Sequence, residues 1–145
     1  MRTDRLVPPL LLAGVMLALG GCSSGLEPVD IFPDDMCSAC KMAISDKRFA
    51  GEILWQGTAR KFDDLGCMVR TIQKGGDRHS GFVVDFGSRE WVNAKEAYYV
   101  RSTEISTPMR SGLIAFKDRE AAQQAASKYA GQVLNYDDVF GLPGK

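Results

Sequence analysis

From Gly51 onward the chain alternates between short apolar runs and segments with helical spacing, and it does so twice. Gly51-Glu52-Ile53-Leu54-Trp55 reads as a strand, and Gly57 marks a turn into Arg60-Lys61-Phe62. Asp63 is a good N-cap for a helix in which Leu65, Met68, Val69 and Ile72 recur at helical spacing, closed by Gly75-Gly76. Phe82-Val83-Val84-Asp85-Phe86 follows as a short strand. In the second half, Glu90-Trp91-Val92 and Ala97-Tyr98-Tyr99-Val100 are strand candidates, followed by Leu113-Ile114-Ala115-Phe116. Asp118 caps a helix through Ala121, Ala122, Ala125, Ala126 and Tyr129. Gly131 ends it, and Gln132-Val133-Leu134-Asn135-Tyr136 supplies the last strand.

Both halves therefore predict a β-β-α-β order, an α+β fold with units at residues 36–87 and 88–141. Phe62-Asp63-Asp64 lines up with Phe116-Lys117-Asp118, and Val83-Val84-Asp85-Phe86 with Val133-Leu134-Asn135-Tyr136, which suggests an internal duplication. Each half has only about fifty residues, near the lower limit for an independent core, so the two are expected to pack together. Trp91, Tyr98, Tyr99 and Phe116 are then core residues rather than a ligand platform.

The first segment reads as an address. Arg2 and Arg5 precede the apolar run Leu10–Leu19, which is too short to span a bilayer comfortably and ends in small residues. Leu19-Gly20-Gly21-Cys22 resembles a bacterial lipobox, which predicts removal of residues 1–21 and acylation of Cys22. Ser23 and Ser24 follow in place of the aspartate that resembles an inner-membrane retention signal. The expectation is a lipoprotein facing the periplasm, on the outer membrane rather than the inner. Residues 22–35 read as an acylated tether.

Composition narrows the field of functions. Eighteen basic and eighteen acidic residues balance, so nothing in the charge points to nucleic acid. His79 is the one histidine, which argues against an all-imidazole metal site. There is no Gly-rich phosphate loop and no H-E-x-x-H, so no motif argues for an enzyme.

Sulfur carries the candidate chemistry. Met36, Cys37, Cys40 and Met42 fall within seven positions, and Cys67 lies in the first predicted helix. With Cys22 given to lipid, three thiols remain, so in an oxidising compartment at least one is free, metal-bound or shared. Three readings compete. Thiol–disulfide exchange through Cys37-Ser38-Ala39-Cys40 needs a lowered thiol pKa, which Asp34 and Asp35 upstream oppose. Zinc held by Cys37, Cys40, Cys67 and His79, in a zinc-stabilised interaction module, has a complete donor set but irregular spacing. On the helix wheel Cys67 also lies away from the Leu65–Met68–Val69–Ile72 face, and so need not point towards the pair. Cu(I) held by Cys40 and Met42 uses a thioether, which suits Cu(I) and is of little use to zinc.

The lipobox, Cys37-Ser38-Ala39-Cys40-Lys41-Met42, Phe62-Asp63-Asp64-Leu65-Gly66-Cys67 and Thr107-Pro108-Met109-Arg110-Ser111-Gly112-Leu113-Ile114-Ala115-Phe116 occur in that order. Together they resemble the NosL family, lipoproteins that help mature nitrous oxide reductase. The resemblance runs across nearly the whole mature chain. It implies two related β-β-α-β units and a periplasmic Cu(I) chaperone rather than an enzyme. Copper would go to the centres of nitrous oxide reductase, through that enzyme's membrane-bound maturation machinery. Carried over by motif, Cys40 and Met42 match the Cys-x-Met metal pair and Met109 the methionine of the Thr-Pro-Met segment. Cys37, Cys67 and His79 stay as additional donors without an assigned role. Two departures stand out: the family commonly has glycine where this chain has Lys41, and again where it has Arg110.

Overall fold

The computed structural model describes residues 25–75 and 81–141. The expected signal peptide, Cys22 and His79 lie outside the described residues.

The order is β1 (Gly51–Trp55), β2 (Thr58–Phe62), α1 (Leu65–Gln73), β3 (Gly81–Val84) and β4 (Trp91–Asn93). Then come β5 (Tyr98–Arg101), β6 (Leu113–Phe116), α2 (Arg119–Lys128), β7 (Gln132–Leu134) and α3 (Tyr136–Phe140). A 3-10 turn, Lys47–Phe49, precedes β1. The first sheet runs β2-β1-β3-β4 and the second β6-β5-β7, all antiparallel. In each unit the first strand is central, its hairpin partner on one side and the post-helix strand on the other. This shared topology is what the internal repeat predicts: an α+β fold of two similar units.

α1 and α2 form where the sequence places them, with one correction. Asp64, not Asp63, is the N-cap of α1, accepting from Gly66 N, and Asp118 caps α2 by accepting from Glu120 N. Leu65, Met68, Val69 and Ile72 are all buried against Ile53, Phe62 and Val83. Met68 packs so tightly that a Cβ on Gly51 would lie 2.5 Å from its sulfur, so this thioether belongs to the core.

Three boundaries differ from the sequence reading. β4 pairs with β3, Val83 facing Val92, so Trp91–Asn93 belongs to the first sheet and the divide falls beyond residue 93 instead of at 87/88. The apolar pair Trp91-Val92 marks a strand but not which sheet it joins. Tyr136 opens α3 instead of ending a strand. Asn135 and Asp138 form a capping box there, each side chain accepting from the other's backbone N–H.

The third difference lies in the stretch read as a tether. From Val29 on it is docked as a strap over β1 and β2: Val29 N donates to Glu52 Oε1 at 2.8 Å, and Lys61 Nζ to Asp30 O and Asp35 Oδ2 at 2.5 Å each. Glu52 and Lys61 face each other across β1 and β2, both buried, and the strap supplies partners that the sheet does not.

The units join along β3 and β6. Phe86 N donates to Ala115 O at 2.8 Å and Lys117 N to Asp85 Oδ2 at 2.7 Å. Burial opposes the Asp85 charge, yet the N–H groups of Ser88, Lys117 and Gly87 outweigh it and hold its pKa below the usual value. One apolar core runs through both units, from Ile53 and Leu65 to Tyr99, Leu113 and Phe140. Tyr99 and Phe116 are buried as expected, Trp91 and Tyr98 half so.

Candidate metal centre

The sulfur-rich segment folds as a tight turn on the end of β2. Lys41 N donates to Cys37 O at 3.0 Å and Cys37 N to Met42 O at 2.8 Å, while Ser38 N donates to Lys61 O at 2.7 Å. Lys41 closes the turn with φ +64°, the left-handed region that glycine enters without steric cost. Ser38 thus fixes the turn against β2 just before the corner Phe62-Asp63-Asp64, where the chain enters α1.

That corner completes a cluster. The Cys37, Cys40 and Cys67 sulfurs and a carboxylate oxygen of Asp63 all lie within 4.8 Å of one another. Cys37, Cys67 and Asp63 are buried, and Cys40 is half-buried. The Cys40 thiol donates to Asp63 Oδ1 at 3.3 Å. Asp63 Oδ2 is buried with no hydrogen-bond partner among the described residues, an arrangement that costs free energy unless a cation or proton meets it. By the helix wheel Cys67 need not face the pair, because it lies off the core stripe of α1. It does face it, because both sides of this short helix are buried.

Electrostatics decide the protonation of the thiols. Cys67 sits in the first turn of α1, where the helix N-terminus favours a thiolate, and Arg70 Nη2 lies 3.1 Å from its sulfur. Burial, followed by Cys37 and Asp63 nearby, nonetheless pushes the Cys67 thiol far up. Burial also raises Cys40; the Met42 N–H works against it, while Cys37 and Asp63 reinforce it. Desolvation wins at Cys40 and Cys67, so these two thiols keep their protons at neutral pH. This disfavours thiol–disulfide catalysis, which needs a thiolate. A metal would bind by displacing these protons.

The second unit reaches the same corner. Asp64 is fully buried, and while Oδ1 caps α1, Oδ2 accepts from Thr107 Oγ1 at 2.7 Å and from Met109 N at 2.8 Å. The Thr107-Pro108-Met109 loop therefore lies across the start of α1. Ser111 presses on Gly66 closely enough that a Cβ there would meet Ser111 Cβ at 2.6 Å. Met109 and Cys40 are both half-buried and both pack against the main core. Arg110, like Lys41, is in the left-handed region, with φ +56°. Both positions where the family commonly has glycine are thus places where the backbone favours it.

Among the predicted donors, then, the structure brings Cys37, Cys40 and Cys67 together and draws the Met109 loop to the adjoining corner. Met42 is 53% exposed, outside the buried cluster. Asp63 is the neighbour that sequence reasoning missed, because it was spent as a helix cap. The signal was present in Asp63 and Cys67, four residues apart across the start of a helix.

A NosL family model matches residues 28–141. Among solved structures, the chain is similar to the crystal structure of the copper chaperone NosL from Shewanella denitrificans, with a TM-score of 0.68 and 16% identity over 78% of this chain and 95% of that one. A comparison with curated proteins found no match. The family model takes in the strap, the sulfur turn, the Asp63-Asp64 corner and the Thr107-Pro108-Met109 loop together, and the chain belongs to the NosL family.

Proposed function

We propose that the chain is a copper-binding chaperone that carries Cu(I) on Cys40, Met42 and Met109, with Cys37 and Cys67 as further thiols behind Cys40. The observation that carries this reading is the convergence at one corner. Cys40 bonds to Asp63, and the Met109 loop bonds to Asp64 next to it. Thiolate and thioether donors are soft and select Cu(I) over hard cations. A half-buried thiol beside an exposed methionine also leaves the ion within reach of an acceptor's own sulfur ligands. Such a carrier acts stoichiometrically and is not an enzyme. On the family resemblance, the acceptor is nitrous oxide reductase, through its membrane-bound maturation machinery. The chaperone would be held at the periplasmic face of the outer membrane by lipid on Cys22.

Titration of Cu(I) into the chain under a thiol reductant, against a chromophoric Cu(I) chelator, tests the reading. One Cu(I) should bind, and Cys40→Ala should weaken binding most, because it leaves thioethers at the open side. Met109→Leu should weaken it less.

The cluster geometry favours a second reading, a structural zinc site. Three thiolates and a carboxylate complete a four-coordinate set, with Asp63 in the place expected of His79. Zn(II) binding tighter than Cu(I), with unfolding on its removal, would establish zinc and overturn the carrier.

A further inference from the structure

We infer that Asp64 is a positioning residue for copper binding: it holds the Met109 loop of the second unit against the thiol-bearing turn of the first. This rests on the proposed role of Met109 as a ligand. The Asp64 side chain is fully buried, and no ion pair to it is found among the described residues. Its charge is met by donors from two units: Gly66 N at 2.6 Å, Thr107 Oγ1 at 2.7 Å and Met109 N at 2.8 Å. A neutral cap could serve α1 alone, as serine or asparagine does elsewhere. Here both carboxylate oxygens are used, and one of them fixes the backbone of the residue whose sulfur is to meet the metal.

Adjacent positions therefore divide the work. Asp63 faces Cys40 and Asp64 faces Met109, so the backbone between two neighbouring residues sets the separation of ligands from different units. Pro108 stiffens the loop, since its ring fixes φ immediately before Met109. Thr107 anchors it twice, donating to Asp64 and lying 3.3 Å from Ser111 Oγ. Copper then meets a second ligand already in place, and no loop ordering is charged against its affinity.

Asparagine at position 64 has one acceptor oxygen. It can face Gly66 N or Met109 N but not both, so Asp64→Asn keeps either the cap or the latch. Cu(I) affinity should be compared in the full chain for wild type, Asp64→Asn, Met109→Leu and the double variant, using chelator competition under reductant, with thermal unfolding of each apo form. The expected result is about a tenfold loss for Asp64→Asn, the scale of one charge-assisted hydrogen bond, and no further loss when leucine already stands at 109. Thr107→Val, which spares the cap, should give a smaller loss that also vanishes in the leucine background. Unchanged affinity in both Asp64→Asn and Thr107→Val, or an equal loss with methionine and with leucine at 109, would overturn the inference while leaving the carrier reading intact. If Met109→Leu itself binds Cu(I) like wild type, Met109 is no ligand and the inference falls with it.

Discussion

The two β-β-α-β units use the same corner differently. Each passes from its second strand through an aspartate cap into a helix, Phe62-Asp63-Asp64-Leu65-Gly66-Cys67 in one and Phe116-Lys117-Asp118-Arg119-Glu120-Ala121 in the other. The first corner lies beneath the sulfur turn and the Thr107 loop, with Asp63, Asp64, Gly66 and Cys67 all buried. In the second, Lys117, Asp118 and Glu120 are exposed and only Ala122 and Ala125 of α2 are buried. The cap belongs to the fold and recurs. The chemistry arises only where a loop from elsewhere covers the cap and takes its acids and thiol out of water.

The largest break in this comparison should come from deleting the two caps. Asp64→Ala strands Gly66 N and Met109 N in a buried place and should cost about 3 kcal/mol, whereas Asp118→Ala loses an exposed cap worth about 1 kcal/mol. Urea unfolding of the two variants measures the difference, and equal costs would show that covering the first corner adds nothing. Next come the equivalent positions Gly66 and Glu120. Gly66→Ala forces a methyl into Ser111 and should cost about 2 kcal/mol by overpacking, while Glu120→Ala at the open corner should stay within about 0.5 kcal/mol.

The turns that cover the first corner give a smaller, opposite effect. Lys41 and Arg110 hold left-handed backbone at a cost of about 1 kcal/mol each, so Lys41→Gly and Arg110→Gly should each stabilise the apo protein. The greater freedom of glycine in the unfolded chain leaves a net gain of about 0.5 kcal/mol. The contact of Lys41 Nζ with Ser38 O is exposed and subtracts little. A loss of stability in both variants would show that the side chains outweigh the backbone.

The smallest effect concerns the face of the first sheet away from α1, where the strap lies. Where the second unit has Tyr99 opposite Ala115, the first has Glu52 opposite Lys61. Burial raises the Glu52 pKa above its ordinary 4.5, with the Val29 N–H and Lys61 pulling the other way. The folded state therefore binds this proton more tightly than the unfolded one. Its contribution is favourable below pH 4.5 and is lost as pH rises through the folded-state value. Glu52→Gln should be more stable than wild type at pH 7 and should flatten that part of the pH profile, as thermal melts from pH 4 to 8 would show.

Much of this was legible in the sequence because helices and their caps are local. Aspartate, then apolar residues at helical spacing, then glycine placed α1 and α2, and the repeated order gave the topology. What escaped was decided by longer-range partners. Asp63 and Asp64 are chemically identical neighbours, and only the end of β2 and the arrival of the Thr107 loop distinguish a cap from a member of the thiol cluster. Likewise β4 joins the first sheet because Val92 meets Val83, a pairing with no local signature. The sulfur donors were legible because soft ligands are rare and clustered. The carboxylates that hold them in place look like any acid.

The strap over β1 and β2 has a mechanical consequence. It ends at Asp35, one residue before the sulfur turn begins, and among the described residues it is fastened to the β1–β2 hairpin through Val29 to Glu52 and through Lys61 to both Asp30 and Asp35. It therefore works like the clamp that relieves strain on a cable. A pull from upstream of Val29 would be borne by the β1–β2 hairpin before it reached Cys37, which would insulate the thiol geometry from it. A version of the domain begun at Met36 would keep every thiol of the cluster and lose that insulation.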